Sequence, residues 1–282
     1  MATLVLIVGD SGSGKTSSIR GFGGGEVSVF SAAEKPLPFR NTGENRIYYE
    51  HVAGYEDLKT KLRLAQNKSI VIDDAQYLMA FEYFSSLNEK GFEKYVRMGN
   101  NFFTLLKIAG QLKKDKIVYF MMHVDRGDDG AEKAKTLGKL IEDKLTLEGL
   151  FTIVLKTVVK DRGNGKLGYF FATENSGVDR VKTPMEMFDE PFIPNNLKLV
   201  DRIIRNYYEL PANESVGVGG DLKDKKEEKE VKKDDVERGE KQPRAGKKQD
   251  AELDMGANKK EVMNRNNKDN KVEAEKSEDD IF

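Results

Sequence analysis

The chain has 282 residues, 34% charged and 38% apolar, too polar a balance for one wholly packed body and suggestive of a folded part plus a solvated part. Its formal net charge of -1 gives no global basic field, so any nucleic-acid contact has to come from a local patch. Cysteine is absent, which excludes disulfides, thiolate metal sites and cysteine nucleophiles and agrees with a reducing cytosol.

Taken in order, the chain begins with the apolar, β-branched run Leu4-Val5-Leu6-Ile7-Val8, the composition of a strand buried on both faces. It is too short for a signal peptide, and no later stretch approaches the ~20 apolar residues that span a bilayer. A soluble, cytoplasmic protein without membrane contact is expected. The run passes directly into Gly9-Asp10-Ser11-Gly12-Ser13-Gly14-Lys15-Thr16, which fits G-x-x-x-x-G-K-[ST] without a mismatch. Glycines let successive backbone N–H groups converge on phosphate oxygens. Lys15 is placed to reach the β- and γ-phosphates, and the Thr16 hydroxyl to hold Mg²⁺. A helix opening at Lys15 would add the positive end of its dipole. All eight residues are candidates for binding a nucleoside triphosphate.

Residues 21–25 read as a glycine-rich turn and 26–30 as a second strand. Lys35-Pro36-Leu37-Pro38-Phe39-Arg40 cannot be regular helix and is expected as a loop near a strand end, where α/β proteins place ligand contacts. A short strand at 47–49 and a helix at 55–65 follow. Ser69-Ile70-Val71-Ile72-Asp73-Asp74 drives a buried strand into two carboxylates. Asp73 is the candidate to hold Mg²⁺ opposite Thr16, and Asp74 the candidate to orient or deprotonate the attacking water. The plainer alternative is a strand ending in an Asp-rich turn.

From 75 to 114 the pattern is helical with a break near 88–91. Its aromatic residues (Tyr77, Phe81, Tyr83, Phe84, Tyr95, Phe102, Phe103) are expected chiefly as core over a sheet, with base stacking as the alternative. Lys116-Ile117-Val118-Tyr119-Phe120-Met121-Met122-His123 is another buried strand, expected beside the phosphate-loop strand. His123 would then lie near a γ-phosphate, either sensing it or serving structure alone. Residues 125–135 read as a mobile loop, 136–141 as the start of a helix, and 151–159 and 169–173 as strands joined by a hairpin turn at 161–166. The last helix is expected over 196–208, with Leu197, Val200, Ile203, Ile204 and Tyr207 on one face.

Beyond Pro211 the composition changes. Residues 211–282 hold 17 basic and 20 acidic residues and no aromatic before Phe282, which cannot bury enough apolar area to offset ordering entropy. The expected organisation is a phosphate-loop domain at 1–210, a disordered charged linker at 211–276 and a docking tip at 277–282. In that tip Asp279-Asp280-Ile281 and Phe282 would pair carboxylates with an apolar anchor.

With these motifs in place, the chain resembles the phage-encoded AAA/RecA-like P-loop ATPases, a group that includes single-strand-annealing recombination ATPases. The resemblance covers about residues 2–210 and rests on Gly9 to Thr16, Ile70 to Asp74, Met122-His123, Lys135-Thr136-Leu137-Gly138-Lys139, and Lys182-Thr183-Pro184 with Phe188 and Ile193-Pro194-Asn195. It implies an α/β, RecA-like core with a mainly parallel sheet flanked by helices. It also implies ATP and Mg²⁺ as cofactors and work on single-stranded DNA in recombination or replication within a bacterial host; Lys15, Asp74 and His123 are the catalytic candidates, and a homo-oligomer is expected. The terminal Asp279 to Phe282 is similar to the acidic tip of bacterial single-stranded DNA-binding proteins, which recruits replication and repair partners. Two departures stand out. Glu34 matches the usual catalytic glutamate only loosely in position, and no arginine finger can be assigned, Arg180 and Lys182 being the nearest choices. An ATP-dependent scaffold with little turnover is the first alternative. A P-loop kinase is the second, disfavoured because the loop carrying Arg126 is mainly acidic.

Overall fold

A computed structural model describes residues 1–213 except 128–129, 138–145 and 164. The tail and tip expected at 211–282 therefore lie outside the described residues from 214 onward, as does most of the helix expected from Thr136.

The core is a mixed sheet of nine strands. In chain order these are β1 (Thr3–Gly9), β2 (Val27–Ser31), β3 (Tyr48–His51), β4 (Ser69–Asp73), β5 (Ile117–Arg126), β6 (Glu132–Ala134), β7 (Ile153–Asp161), β8 (Leu167–Ala172) and β9 (Phe192–Pro194). Across the sheet the order is β3-β2-β4-β5-β1-β7-β8-β9, with β6 paired to β5. All pairs from β3 to β7 are parallel, and the two last neighbours, β7–β8 and β8–β9, are antiparallel. The continuous apolar runs of β1, β4 and β5 follow from this position, because both faces of these strands are covered. Leu6, Val8, Ile70, Ile72, Val118 and Phe120 face α1 (Tyr55–Leu64), α2 (Gln76–Ser85) and α3 (Glu93–Gly110). The alternating residues Val5, Ile7, Val71, Ile117, Tyr119 and Met121 face α4 (Leu197–Tyr207) and a short 3₁₀ helix, Thr16–Gly21. The side chain of Asn196 starts α4 by accepting from the backbone N–H of Lys198 (3.1 Å) and Leu199 (3.4 Å).

Three expectations change. The helix after the phosphate loop is a six-residue 3₁₀ turn, opened by the bond from Ser18 N to Lys15 O at 3.2 Å. It is too short to supply a substantial dipole. Residues 125–135 are not simply a loop: Val124, Asp125 and Arg126 pair with Ala134, Lys133 and Glu132 as an antiparallel hairpin. Gly130, with φ of +75°, lets the chain reverse there, and Gly127 N bonds Ala131 O at 2.9 Å.

The third change concerns the aromatic stripe, which splits. Phe102 is core at 1% exposure, but Phe81, Phe84, Phe92 and Phe103 are 50%, 64%, 64% and 38% exposed. Leu78, Met79, Leu105, Leu106 and Ala109 already fill the faces of α2 and α3 that meet the sheet, so these rings are left pointing outward. No helix among the described residues is long and apolar enough to cross a membrane.

Candidate functional site

Parallel register brings the C-terminal ends of β1, β4 and β5 together. Gly9 at the end of β1 sits opposite His123 of β5. Asp73 ends β4, the neighbour of β5 on its other side. The loop of residues 10–15 therefore rises from the centre of the sheet, with the aspartate pair one strand removed across β5.

Within the loop, Asp10 and Ser11 are exposed at its crest and Ser13 is buried beneath. Ser13 Oγ lies 2.6 Å from Asp10 O and 2.5 Å from Thr157 Oγ1 of β7, which pins the loop to the sheet. Gly12 and Gly14 have φ of +77° and +97°, a left-handed backbone that side chains rarely adopt. A Cβ at Gly9 would collide with Thr157 Oγ1 and lie 2.7 Å from Ser13 Oγ. The glycine spacing is thus a packing requirement as well as a conformational one. Lys15 is buried, and its Nζ donates to Gly9 O at 2.7 Å and Asp10 O at 2.8 Å, folded over its own loop. Burial lowers its pKa, with the charges of Asp74 and Asp73 acting the other way.

Thr16 Oγ1 lies 3.0 Å and 2.9 Å from the two carboxylate oxygens of Asp73. Burial, reinforced by the charge of Asp74, pushes the Asp73 carboxyl from its ordinary 3.8 to about 6. Asp74 follows with φ of +56°, unusual for a residue with a side chain and a mark of stored strain. Its carboxylate meets partners other than Thr16. One oxygen pairs with Lys35 Nζ, and the other lies 3.3 Å from His123 Nε2. Burial works to raise the Asp74 carboxyl, but His123 and Lys35 outweigh it and bring it down to about 2. The Lys35 ammonium is also penalised by burial, yet Asp74 holds its pKa above the usual lysine value.

These groups line one cleft of ≈ 210 Å³. Ser11, Gly12, Gly14, Lys15, Thr16 and Ser17 line it together with Lys35, Pro36 and Pro38 and with Asp74 and His123. The loop that two prolines marked in the sequence is therefore part of the site, but Lys35 itself was not singled out there. Gln76 was also missed: its Oε1 accepts from His123 N at 3.3 Å, while its Nε2 is buried without a partner. Other candidates lie elsewhere. Arg126 ends β5 with Glu132 at 3.8 Å, and Lys182 forms a backbone bridge with Val154. Glu34 lines a separate hollow with Tyr55 and Glu82.

The donor set suits a nucleotide with its cation. A buried lysine turned onto loop carbonyls and a left-handed glycine backbone are groups that phosphate oxygens can engage. Among the described residues no three His, Asp or Glu side chains converge as a metal cage. Thr16 with Asp73 fits instead a cation that keeps most of its ligands as water and phosphate, the habit of Mg²⁺.

No protein-family model matches the chain, and no curated protein matches it. Among solved structures it is similar to the pilus retraction motor PilT, determined with bound ADP, at 11% identity and a TM-score of 0.33. The match covers 74% of this chain and 53% of PilT, so the chain spans about half of that protein's length. At that distance the likeness adds nothing to the geometry.

Proposed function

We propose that this chain is an ATP hydrolase with a RecA-like P-loop core, dependent on Mg²⁺ and coupled to single-stranded DNA. The observation that carries the reading is the convergence of Thr16 on Asp73, and of Lys35 and His123 on Asp74, at the mouth of the Gly9–Thr16 loop. The loop N–H groups and Lys15 would bind the β- and γ-phosphates, Lys15 exchanging the carbonyls of Gly9 and Asp10 for phosphate oxygens. Thr16 and Asp73 would hold Mg²⁺, which supplies charge neutralisation on those phosphates. Asp74 would orient a water toward the γ-phosphorus and accept its proton as the bridging P–O bond breaks toward ADP. His123 would fix the carboxylate. With both oxygens of Asp74 already engaged, basal turnover is expected to be slow.

Support for a single-stranded partner comes from the outward rings of α2 and α3. Lys94 Nζ lies 5.7 Å and 5.3 Å from the ring centres of Tyr83 and Tyr95, and Lys107 lies 5.9 Å from that of Phe103. Phe103 is exposed and Tyr83 and Tyr95 are half-buried, and rings interleaved with lysines suit stacked bases and their phosphates. Phe81 stacks on Tyr77 (5.6 Å), and Tyr77 meets His123 edge-on (6.1 Å), so this surface adjoins the cleft. Homo-oligomerisation, and docking of replication or recombination proteins on Asp279 to Phe282, belong to the same proposal.

The test is ATP hydrolysis by the full chain with and without an oligo-dT strand, beside Lys15→Ala. The expected result is stimulation of several-fold by DNA and loss of turnover by roughly a hundred-fold or more in Lys15→Ala. ATP binding with turnover that is flat in both conditions would replace the hydrolase by an ATP-dependent scaffold.

A further inference from the structure

The cleft holds one cation that the phosphate-loop motif does not account for. Lys35 follows β2 in a tight turn, with its N–H on Ala33 O at 3.0 Å. The Tyr49 hydroxyl donates to its carbonyl, and Pro36 and Pro38 stiffen the chain beyond it. Its backbone is therefore fixed. Its ammonium is held by Asp74 at the end of a flexible stem, and the side chain is 45% exposed against 2% for Asp74. The same loop lines the cleft together with Gly12, Lys15 and Thr16.

We propose that Lys35 is the group that reads the γ-phosphate: triphosphate draws its ammonium off Asp74, and diphosphate leaves it there. The assignment rests on the reading that the Gly9–Thr16 loop binds a nucleoside triphosphate. A terminal phosphate carries more negative charge than a carboxylate and offers several oxygens to a lysine, so it competes for the ammonium where it is within reach. Release then frees one Asp74 oxygen for water while His123 still holds the other. The displaced lysine meets the phosphoryl group, a cation supplied in cis where no arginine was assignable. ADP lacks the competing group, so the ion pair re-forms after hydrolysis.

Equilibrium binding of ATP and ADP, with Mg²⁺, to the full chain and to Lys35→Ala, Asp74→Asn and the double variant tests this, with Lys15→Ala alongside. Lys35→Ala is expected to weaken ATP by roughly ten-fold or more, the range of one charge-assisted hydrogen bond, and to change ADP affinity by less than about two-fold. Asp74→Asn, which removes the competitor, is expected to tighten ATP several-fold, and that gain should vanish in the double variant. Equal losses for ATP and ADP in Lys35→Ala, or an Asp74→Asn gain that survives without Lys35, would overturn the assignment while leaving the nucleotide site standing. Failure of the unmodified chain to bind either nucleotide, or unchanged binding by Lys15→Ala, would instead remove the underlying reading and the Lys35 role with it. Matching thermal transitions for Lys35→Ala and the unmodified chain exclude unfolding as the cause of lost binding.

Discussion

A carboxylate taken out of water beside a second carboxylate is costly to ionise, and Asp73 is held that way, completely buried with Asp74 next in sequence. Its folded-state value of about 6 stands above the ordinary 3.8. A raised value means that the folded state favours the protonated form. That stabilisation is complete below about 3.8 and is lost as pH rises through about 6. At neutral pH the site therefore carries a penalty of about 2–3 kcal/mol, which a bound cation would relieve. Asp73→Asn is expected to raise the thermal midpoint of the ligand-free protein at pH 7.5, to lose that advantage near pH 4, and to abolish Mg²⁺-dependent ATP binding. Thermal scans at both pH values with one binding titration check it, and no stabilisation at pH 7.5 would refute it. Thr16 and Asp73 were legible in the sequence because fixed motif spacing and the end of a buried run locate them. Lys35 was not, since its meeting with Asp74 depends on β2 and β4 lying side by side, which local pattern does not reveal.

At the scale of elements, α4 is fastened to the sheet by charge as well as by its apolar stripe. Arg205 and Asp201 are 2% exposed, one turn apart, with Nε to Oδ2 at 2.7 Å. Asp201 also accepts from Ser69 of β4 at 2.5 Å and Tyr119 of β5 at 2.8 Å, and Arg205 reaches Ser69 and the carbonyls of Asp115 and Pro211. Removing one partner of a satisfied buried pair strands the other charge. Arg205→Ala is therefore expected to cost about 3–5 kcal/mol in urea unfolding, whereas Asp201→Asn combined with Arg205→Met should recover most of it. A loss under about 1 kcal/mol for Arg205→Ala would show that the network is ornamental. Periodicity gave α4 and the buried Leu197, Val200 and Ile204, but it misplaced Tyr207, which is exposed, and it was silent on the polar lock, because Asp and Arg at helical spacing usually mark a solvated surface. The same limit misplaced the outward rings of α2 and α3. An aromatic residue announces that it can be buried, and only the area already filled by Leu78, Leu105 and Leu106 decides whether it is.

For the whole molecule the question is where the cooperative body stops. Composition put the change near Pro211, yet the described contacts run two residues further, to Asn213. Pro211 O accepts from Arg205 at 3.1 Å, and Asn213 Nδ2 donates to Glu26 O and Ser69 Oγ, both at 2.8 Å. Asn213 thus closes over the same Ser69–Asp201–Arg205 network that anchors α4. A chain ending at Asn213 is expected to melt within about 2 °C of the full-length protein, because residues beyond it have too little apolar content to add a packed face. A chain ending at Leu210 loses partners for buried groups worth about 1–2 kcal/mol, so its midpoint should fall by about 2–8 °C. Differential scanning calorimetry of the three chains separates the cases. A drop of several degrees on ending at Asn213 would mean that the charged segment stabilises the fold. Equal midpoints for the two shorter chains would mean that Ser69 and Arg205 find water as good a partner as Pro211 and Asn213.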